Sequence, residues 1–213
     1  MPTKVKICGL KTEAALEAAL AGGADYVGLV FFPPSPRNVT LAVAKALADR
    51  ARGRARIVAL MVNPDDALVA QVAASVAPDL IQLHGYETPT RVAEVRARWG
   101  ISVMKAVPVE TAEDAHAARQ FSPAADLILF DARAPADSAR PGGNGAPFDW
   151  RTLLGVTEGI PFVLSGGLTP DNVAEAIRLT GATTVDVSSG VESSPGEKDP
   201  ELIRRFLRAA KGV

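Results

Sequence analysis

Only one cysteine, Cys8, occurs in 213 residues. A lone thiol forms no internal disulfide and cannot by itself build a structural zinc site. Neither charge is in surplus: 23 Lys and Arg stand against 24 Asp and Glu, for a net charge of -1 and a pI near 6.2. A general nucleic-acid binder needs a basic excess to displace counterions, so no nucleic-acid partner is expected. Glycine (18) and proline (16) are too few for a collagen-like or low-complexity chain. No apolar run approaches the ~18 residues of a membrane span, and the opening MPTKVKICGL lacks a signal-peptide core. A soluble, cytoplasmic protein without a membrane partner is expected. HExxH, GxSxG, a P-loop and paired carboxylates at metal spacing are absent as well.

What is present is ordinary globular material, 47% hydrophobic and 22% charged. The length suits one domain over 1–213, enough to bury roughly 70% of the unfolded surface. Short continuous apolar runs recur at Val5–Cys8, Tyr26–Phe31, Arg56–Val62, Leu80–His84, Ser102–Pro108, Leu127–Asp131, Pro161–Ser165 and Thr183–Ser188. Runs that do not alternate fit strands buried on both faces of a parallel sheet. Between them the spacing predicts helices over Glu13–Ala21, Ala42–Ala51, Asp66–Val76, Pro89–Trp99, Ala112–Arg119, Asp149–Leu154, Asp171–Leu179 and Pro200–Ala210. Thr12, Asp65, Thr88, Thr111 and Thr169 are placed to cap helices, and Pro89 and Pro170 to open them. Eight strand–helix units without a linker predict an α/β fold, a single closed (β/α)₈ TIM barrel, over an open doubly wound sheet.

In such a barrel the chemistry stands at the C-terminal ends of the strands. Those ends read Cys8-Gly9, the loop Pro33-Pro34-Ser35-Pro36-Arg37-Asn38, Asn63, Gln82 to Gly85, Lys105, Asp131, Ser165-Gly166-Gly167 and Asp186 to Gly190. Runs that finish so regularly in polar or glycine residues mark an active site. The two late turns, Ser165-Gly166-Gly167-Leu168 and Ser188-Ser189-Gly190-Val191-Glu192, suit a phosphate, because glycine lets backbone N–H groups approach closely. Gly142-Gly143-Asn144-Gly145 is placed to close over the same group. Cys8 and Asp131 are the acid–base candidates, and Arg37, on its proline-stiffened loop, carries a fork that suits a carboxylate. Ordinary Cys and Asp side chains are mostly thiol and mostly carboxylate at neutral pH. Packing against Phe130 is expected to help Asp131, and nearby cations or amides, Lys6 among them, to favour the Cys8 thiolate. The basic run Arg50, Arg52, Arg54 and Arg56 reads as a solvated face at the opposite end, and His116 as exposed.

Lys6-Ile7-Cys8-Gly9, Gly23 to Phe32 with Ser35-Pro36-Arg37, Gln82-Leu83-His84-Gly85, Phe130-Asp131, Phe148-Asp149-Trp150, Leu164 to Leu168 and Asp186 to Glu192 together resemble phosphoribosylanthranilate isomerase, in that family's order and over almost the whole chain. The resemblance implies an Amadori rearrangement in tryptophan biosynthesis, without metal or organic cofactor. By it, Asp131 protonates the ribose ring oxygen, Cys8 removes the C2′ proton, and Arg37 holds the anthranilate carboxylate. Gly166, Gly167, Ser188, Ser189 and Gly190 would hold the phosphate; Gln82, His84 and Asp186 stand in the matching motifs as further substrate-binding residues. The partner implied is a small phosphorylated substrate, with monomer and homodimer both open. One segment departs from the family: its Gly-Gly-Thr-Gly loop with a following Lys is here Gly143-Asn144-Gly145-Ala146-Pro147. Two alternatives stand beside this reading. One is the related aminoaldose isomerase of histidine biosynthesis, against which Cys8 and Arg37 count. The other is a non-catalytic phospho-ligand binder or thiol sensor.

Overall fold

A computed structural model describes residues 2–133, 142 and 148–212. Eight strands, β1 (Lys4–Cys8), β2 (Tyr26–Phe31), β3 (Arg56–Met61), β4 (Leu80–Leu83), β5 (Ser102–Val109), β6 (Leu127–Ala132), β7 (Phe162–Leu164) and β8 (Thr184–Val187), pair in parallel with their neighbours. β1 pairs with both β2 and β8, which closes the barrel. Around it run α1 (Glu13–Ala21), α2 (Leu41–Ala51), α3 (Asp66–Val76), α4 (Pro89–Trp99), α5 (Ala112–Ala117), α6 (Val173–Thr180) and α7 (Pro200–Lys211). A single 3₁₀ turn at Trp150–Leu153 stands in the predicted helix between β6 and β7. A two-stranded hairpin, β9 (Glu192–Ser194) and β10 (Glu197–Lys198), follows β8.

The helix starts follow their capping chemistry. Thr12, Asp65, Thr88 and Thr111 each accept a first-turn N–H, as expected, and Thr40 and Asp199 do the same for α2 and α7 without having been singled out. The expectation for α6 needs correction. Thr169 Oγ1 accepts from the Asp171 N–H while the Thr169 N–H donates to Asn172 Oδ1 at 2.7 Å. These reciprocal bonds close a separate turn, so Pro170 lies ahead of the helix, which begins at Val173.

Alternation along the strands sorts the side chains. Val5, Ile7, Leu29, Ile57, Ile81 and Phe130 point outward into the core beneath the helices. Inside the barrel, Tyr26, Val58, Leu80, Met104, Leu129 and Val163 fill the base. One step above Leu80 and Val163 stand Gln82 and Ser165, and Lys6 and Asp186 enter from β1 and β8; all four are buried. The interior is therefore apolar at one end and polar at the end where the strands finish. β3, β4, β7 and β8 end one residue short of the predicted runs, leaving Val62, His84, Ser165 and Ser188 just beyond the ladder.

Candidate active site

One cavity opens at the C-terminal end of the barrel. Its lining includes Cys8, Arg37, Gln82, His84, Asp131, Gly166, Gly167, Asp186, Ser188 and Ser189. Gly190 is not among the lining residues. A Cβ there would run into the Leu168 carbonyl oxygen, so its smallness lets the two late turns touch each other. Gly166 (φ +83°) and Gly167 (φ +66°) hold the left-handed backbone that glycine tolerates, and a Cβ at Gly166 would sit 2.5 Å from the Ala132 amide nitrogen. The first turn thus brings two glycines to the cavity and the second brings Ser188 and Ser189.

Cys8 ends β1 with its side chain inside the barrel. Gly28 on β2 makes the space: a Cβ there would lie 2.9 Å from Cys8 Sγ and 3.2 Å from Lys6 Nζ. Lys6 is fully buried and donates to Asp186 Oδ1 at 2.9 Å, while Ser165 Oγ donates to Asp186 Oδ2 at 3.2 Å. Burial lifts the Cys8 thiol above its ordinary range; Lys6 opposes that rise and Asp186 adds to it. Lys6 itself is raised: burial disfavours its charge, but Asp186 and then Cys8 more than compensate. Lys6 thus favours the thiolate in the expected direction, but enclosure outweighs one neighbouring ammonium already shared with a carboxylate.

Asp131 faces the cavity from β6. Its Oδ2 lies 3.2 Å from His84 Nε2, and its Oδ1 accepts the Ala132 N–H at 3.0 Å. His84 Nδ1 in turn lies 3.0 Å from the Gln82 amide nitrogen. The expected packing of Phe130 on Asp131 is absent, since adjacent strand residues point to opposite faces; the Phe130 ring meets Phe162 at 5.8 Å instead. Of the Gly142–Gly145 segment only Gly142 lies within the described residues; it lines the cavity, and a Cβ on it would come 2.5 Å from Asp131 Oδ2 and 2.7 Å from His84 Nε2. Arg133, not anticipated, also lines the mouth and pairs outward with Glu110 and Asp114.

Two strand-end residues leave the site. Lys105 has the wrong parity: Met104 and Ala106 face inward, so its ammonium points outward to Glu87 (2.9 Å) and the Gly85 carbonyl (2.7 Å). Burial lowers Lys105 below its usual range despite Glu87. Glu87 also accepts the Asn63 and Gly85 N–H groups, so this pair braces the loop that follows His84. Asn63 adopts φ +46° and accepts the Tyr86 N–H. At the far end Arg50, Arg52, Arg54 and Arg56 are exposed, as expected of a solvated face; Arg50 and Arg54 pair there with Glu13 and Glu17, and Arg52 donates to the Val76 and Ala77 carbonyls.

Arg37 is buried with its guanidinium clasped by Glu192, through Nε to Oε1 at 2.7 Å and Nη2 to Oε2 at 2.8 Å. Glu192 also takes a 2.7 Å bond from Lys198 and the Gly196 N–H at 3.0 Å. Burial disfavours the Glu192 charge, yet the bonds from Arg37, Lys198 and Gly196 prevail and hold its pKa at about 2 rather than 4.5. A carboxyl whose pKa falls on folding adds stability above its unfolded value and loses it as pH drops through the folded one. The unfolding temperature should therefore fall more steeply between about pH 4.5 and 2 in the unsubstituted protein than in Glu192→Gln. Equal slopes in the two would refute this account of the clasp.

The family model for N-(5′-phosphoribosyl)anthranilate isomerase matches residues 5–209. A relative from Rhodopseudomonas palustris (strain BisA53), named N-(5′-phosphoribosyl)anthranilate isomerase, is 57% identical over 213 residues, covering 100% of this chain and 98% of its own. A solved phosphoribosylanthranilate isomerase in complex with reduced 1-(o-carboxyphenylamino)-1-deoxyribulose 5-phosphate superposes with a TM-score of 0.87 at 33% identity, covering 99% of this chain and 100% of that one. The monomers generated from the dimeric Thermotoga maritima enzyme give a TM-score of 0.86 at 34% identity, again over 99% and 100%. Both monomeric and dimeric forms thus occur among similar structures. No helix among the described residues is long and apolar enough to cross a membrane.

Proposed function

This chain belongs to the N-(5′-phosphoribosyl)anthranilate isomerase family, an aldose–ketose isomerase of tryptophan biosynthesis, and from that premise we propose that Cys8 and Asp131 are its base and acid. The observation that carries the assignment is their shared cavity. The thiol of β1 and the carboxyl of β6 enter the same space, beside Gly166-Gly167 and Ser188-Ser189.

Asp131 gives a proton to the ribose ring oxygen as the C1′–O bond breaks, which opens the sugar to a protonated Schiff base. The Cys8 thiolate takes the C2′ proton, and the electron pair of that C–H bond moves to the iminium, giving an enolamine. Proton transfer from its 2′-hydroxyl and onto C1′ then yields the ketone, so the substrate's protons balance. The turns at Gly166-Gly167 and Ser188-Ser189 receive the phosphate, with Gly190 supporting their contact. Asp186 and Lys6 stand beneath the base, His84 touches Asp131, and Gln82 holds the other ring nitrogen of His84. The substrate is a small phosphorylated aminoaldose, the whole of 1–213 acts as one catalytic domain, and the reaction belongs in the cytoplasm.

Arg37 is assigned to the anthranilate carboxylate, with Glu192 fixing the direction in which it is presented. Arg37→Ala should weaken substrate binding by roughly 1.5–3 kcal/mol, the scale of a lost charge-assisted bond. An analogue without the carboxylate should lose far less; equal penalties for both ligands would remove the assignment. The activity itself is tested by adding purified protein to freshly made N-(5′-phosphoribosyl)anthranilate and following the anthranilate-type fluorescence. Decay in proportion to protein is expected, and an unchanged signal would overturn the reading.

A further inference from the structure

We propose that Glu192 is a positioning residue that governs how much of the positive charge of Arg37 and Lys198 reaches Cys8, with the β9–β10 hairpin as the clasp that carries it. The inference rests on the reading of Cys8 as the base.

The geometry is a closed chain of contacts. The Glu192 carboxylate, 3% exposed, takes two bonds from Arg37 on one side and the Lys198 ammonium on the other. Lys198 Nζ also donates to the Ser188 carbonyl at 2.8 Å and to Ser188 Oγ at 3.2 Å. Ser188 Oγ in turn donates to the Cys8 carbonyl at 3.2 Å. Two cations and one anion are therefore buried together, and Ser188 joins them to the backbone of Cys8. Glycines make the approach possible. A Cβ on Gly9 (φ +79°) would stand 2.7 Å from Arg37 Cδ, and one on Gly196 (φ +86°) would stand 2.7 Å from the Pro36 carbonyl oxygen.

A buried ion triad is poor evidence for stability, since desolvation offsets much of its attraction. A carboxylate beside a cavity for a substrate with two anionic groups also opposes binding by simple Coulomb repulsion. Its placement makes sense as restraint: it fixes the guanidinium and cancels one of two positive charges near a thiol whose ionisation matters. Lys198 favours the charged form of Cys8 through space. The other charged or titratable groups around Cys8 are Lys6 on its own strand, Asp186 on β8, Arg37 on the β2–α2 loop, and His84 and Asp131 on the cavity wall.

Cys8 is the only thiol, so its alkylation by iodoacetamide reports on one site. The rate should be measured against pH in the unsubstituted protein, Glu192→Gln and Lys198→Met. Glu192→Gln should move the alkylation midpoint down by about half a pH unit or more, and Lys198→Met should move it up by a similar amount. Glu192→Asp, which keeps the charge, should return the midpoint towards that of the unsubstituted protein. A purely structural clasp would loosen in either variant and shift both midpoints in one direction. Shifts of the same sign, or none, overturn the proposal. Should Glu192→Gln fail to fold, an unmoved midpoint in Lys198→Met does the same. Neither outcome touches the assignment of Cys8 as base, which stands or falls on turnover by Cys8→Ser.

Discussion

Replacing Asp131 with asparagine should leave a folded barrel that binds its substrate and turns it over at least about 10²-fold more slowly, the usual scale for a general acid. The amide has nearly the carboxyl's shape. Its oxygen can still accept the Ala132 N–H that Asp131 Oδ1 accepts at 3.0 Å, and its nitrogen can still face His84. What it cannot do is deliver an acidic proton to the ring oxygen, so opening of the sugar loses its catalyst while the cavity keeps its walls. The loss should appear in kcat, with KM and the affinity for a reduced product analogue changed little. Turnover near that of the unsubstituted protein, in a variant with an unaltered unfolding temperature, would end the assignment.

Cys8→Ser should be comparably severe, by about 10²-fold or more in kcat, for the complementary reason. Sulfur and oxygen differ little in size, and the pocket between Gly28 and Lys6 accepts either. A hydroxyl, however, is so weak an acid that almost no anionic base exists near neutral pH. A thiol that merely filled space would tolerate serine with modest loss. The pH profile supplies a second check. Because the reaction needs the Cys8 thiolate and a protonated Asp131 together, kcat/KM should fall on the acid side as the thiolate is protonated and on the basic side as the acid is lost, with apparent pKa values that belong to the coupled pair rather than to Cys8 alone. An active, correctly folded Cys8→Ser variant with an unchanged pH–rate profile would overturn the base, though not the barrel or the phosphate turns.

The fold was legible because its signals are local. Continuous apolar runs, helical spacing between them and hydroxyl or carboxylate caps each act over a few residues, and seven predicted helices stand with shifts of a few residues at their ends. Strand-end polarity likewise pointed to Cys8, Gln82, His84, Asp131, Asp186 and the glycine turns. Parity was harder to read. Lys105 looked like a site residue and Phe130 like a cover for Asp131, because a strand's inward face cannot be assigned from one polar residue at its end. Noting that Met104 and Ala106 would share one face would have sent Lys105 to the other.

The pairings across the barrel were not legible at all. His84 and Asp131 lie on β4 and beyond on one side and on β6 on the other, and Arg37 meets Glu192 across 155 residues. No local pattern encodes such contacts; closure of the barrel makes them. One usable signal did exist. Ser194-Pro195-Gly196 between Glu192 and Lys198 is turn chemistry, and it allows a hairpin that brings those two charges side by side.

The most direct measurement is a crystal structure of this protein with the reduced product analogue, 1-(o-carboxyphenylamino)-1-deoxyribulose 5-phosphate in reduced form. The account predicts the phosphate on the backbone of Gly166-Gly167 and Ser188-Ser189, and the carboxylate at Arg37. It also predicts C2′ within about 4 Å of Cys8 Sγ, the 4′-oxygen within hydrogen-bond reach of Asp131, and thus both reacting atoms near attack geometry. An analogue bound with C2′ turned away from Cys8, or with another side chain between Asp131 and the 4′-oxygen, would contradict the assignment of this pair as base and acid.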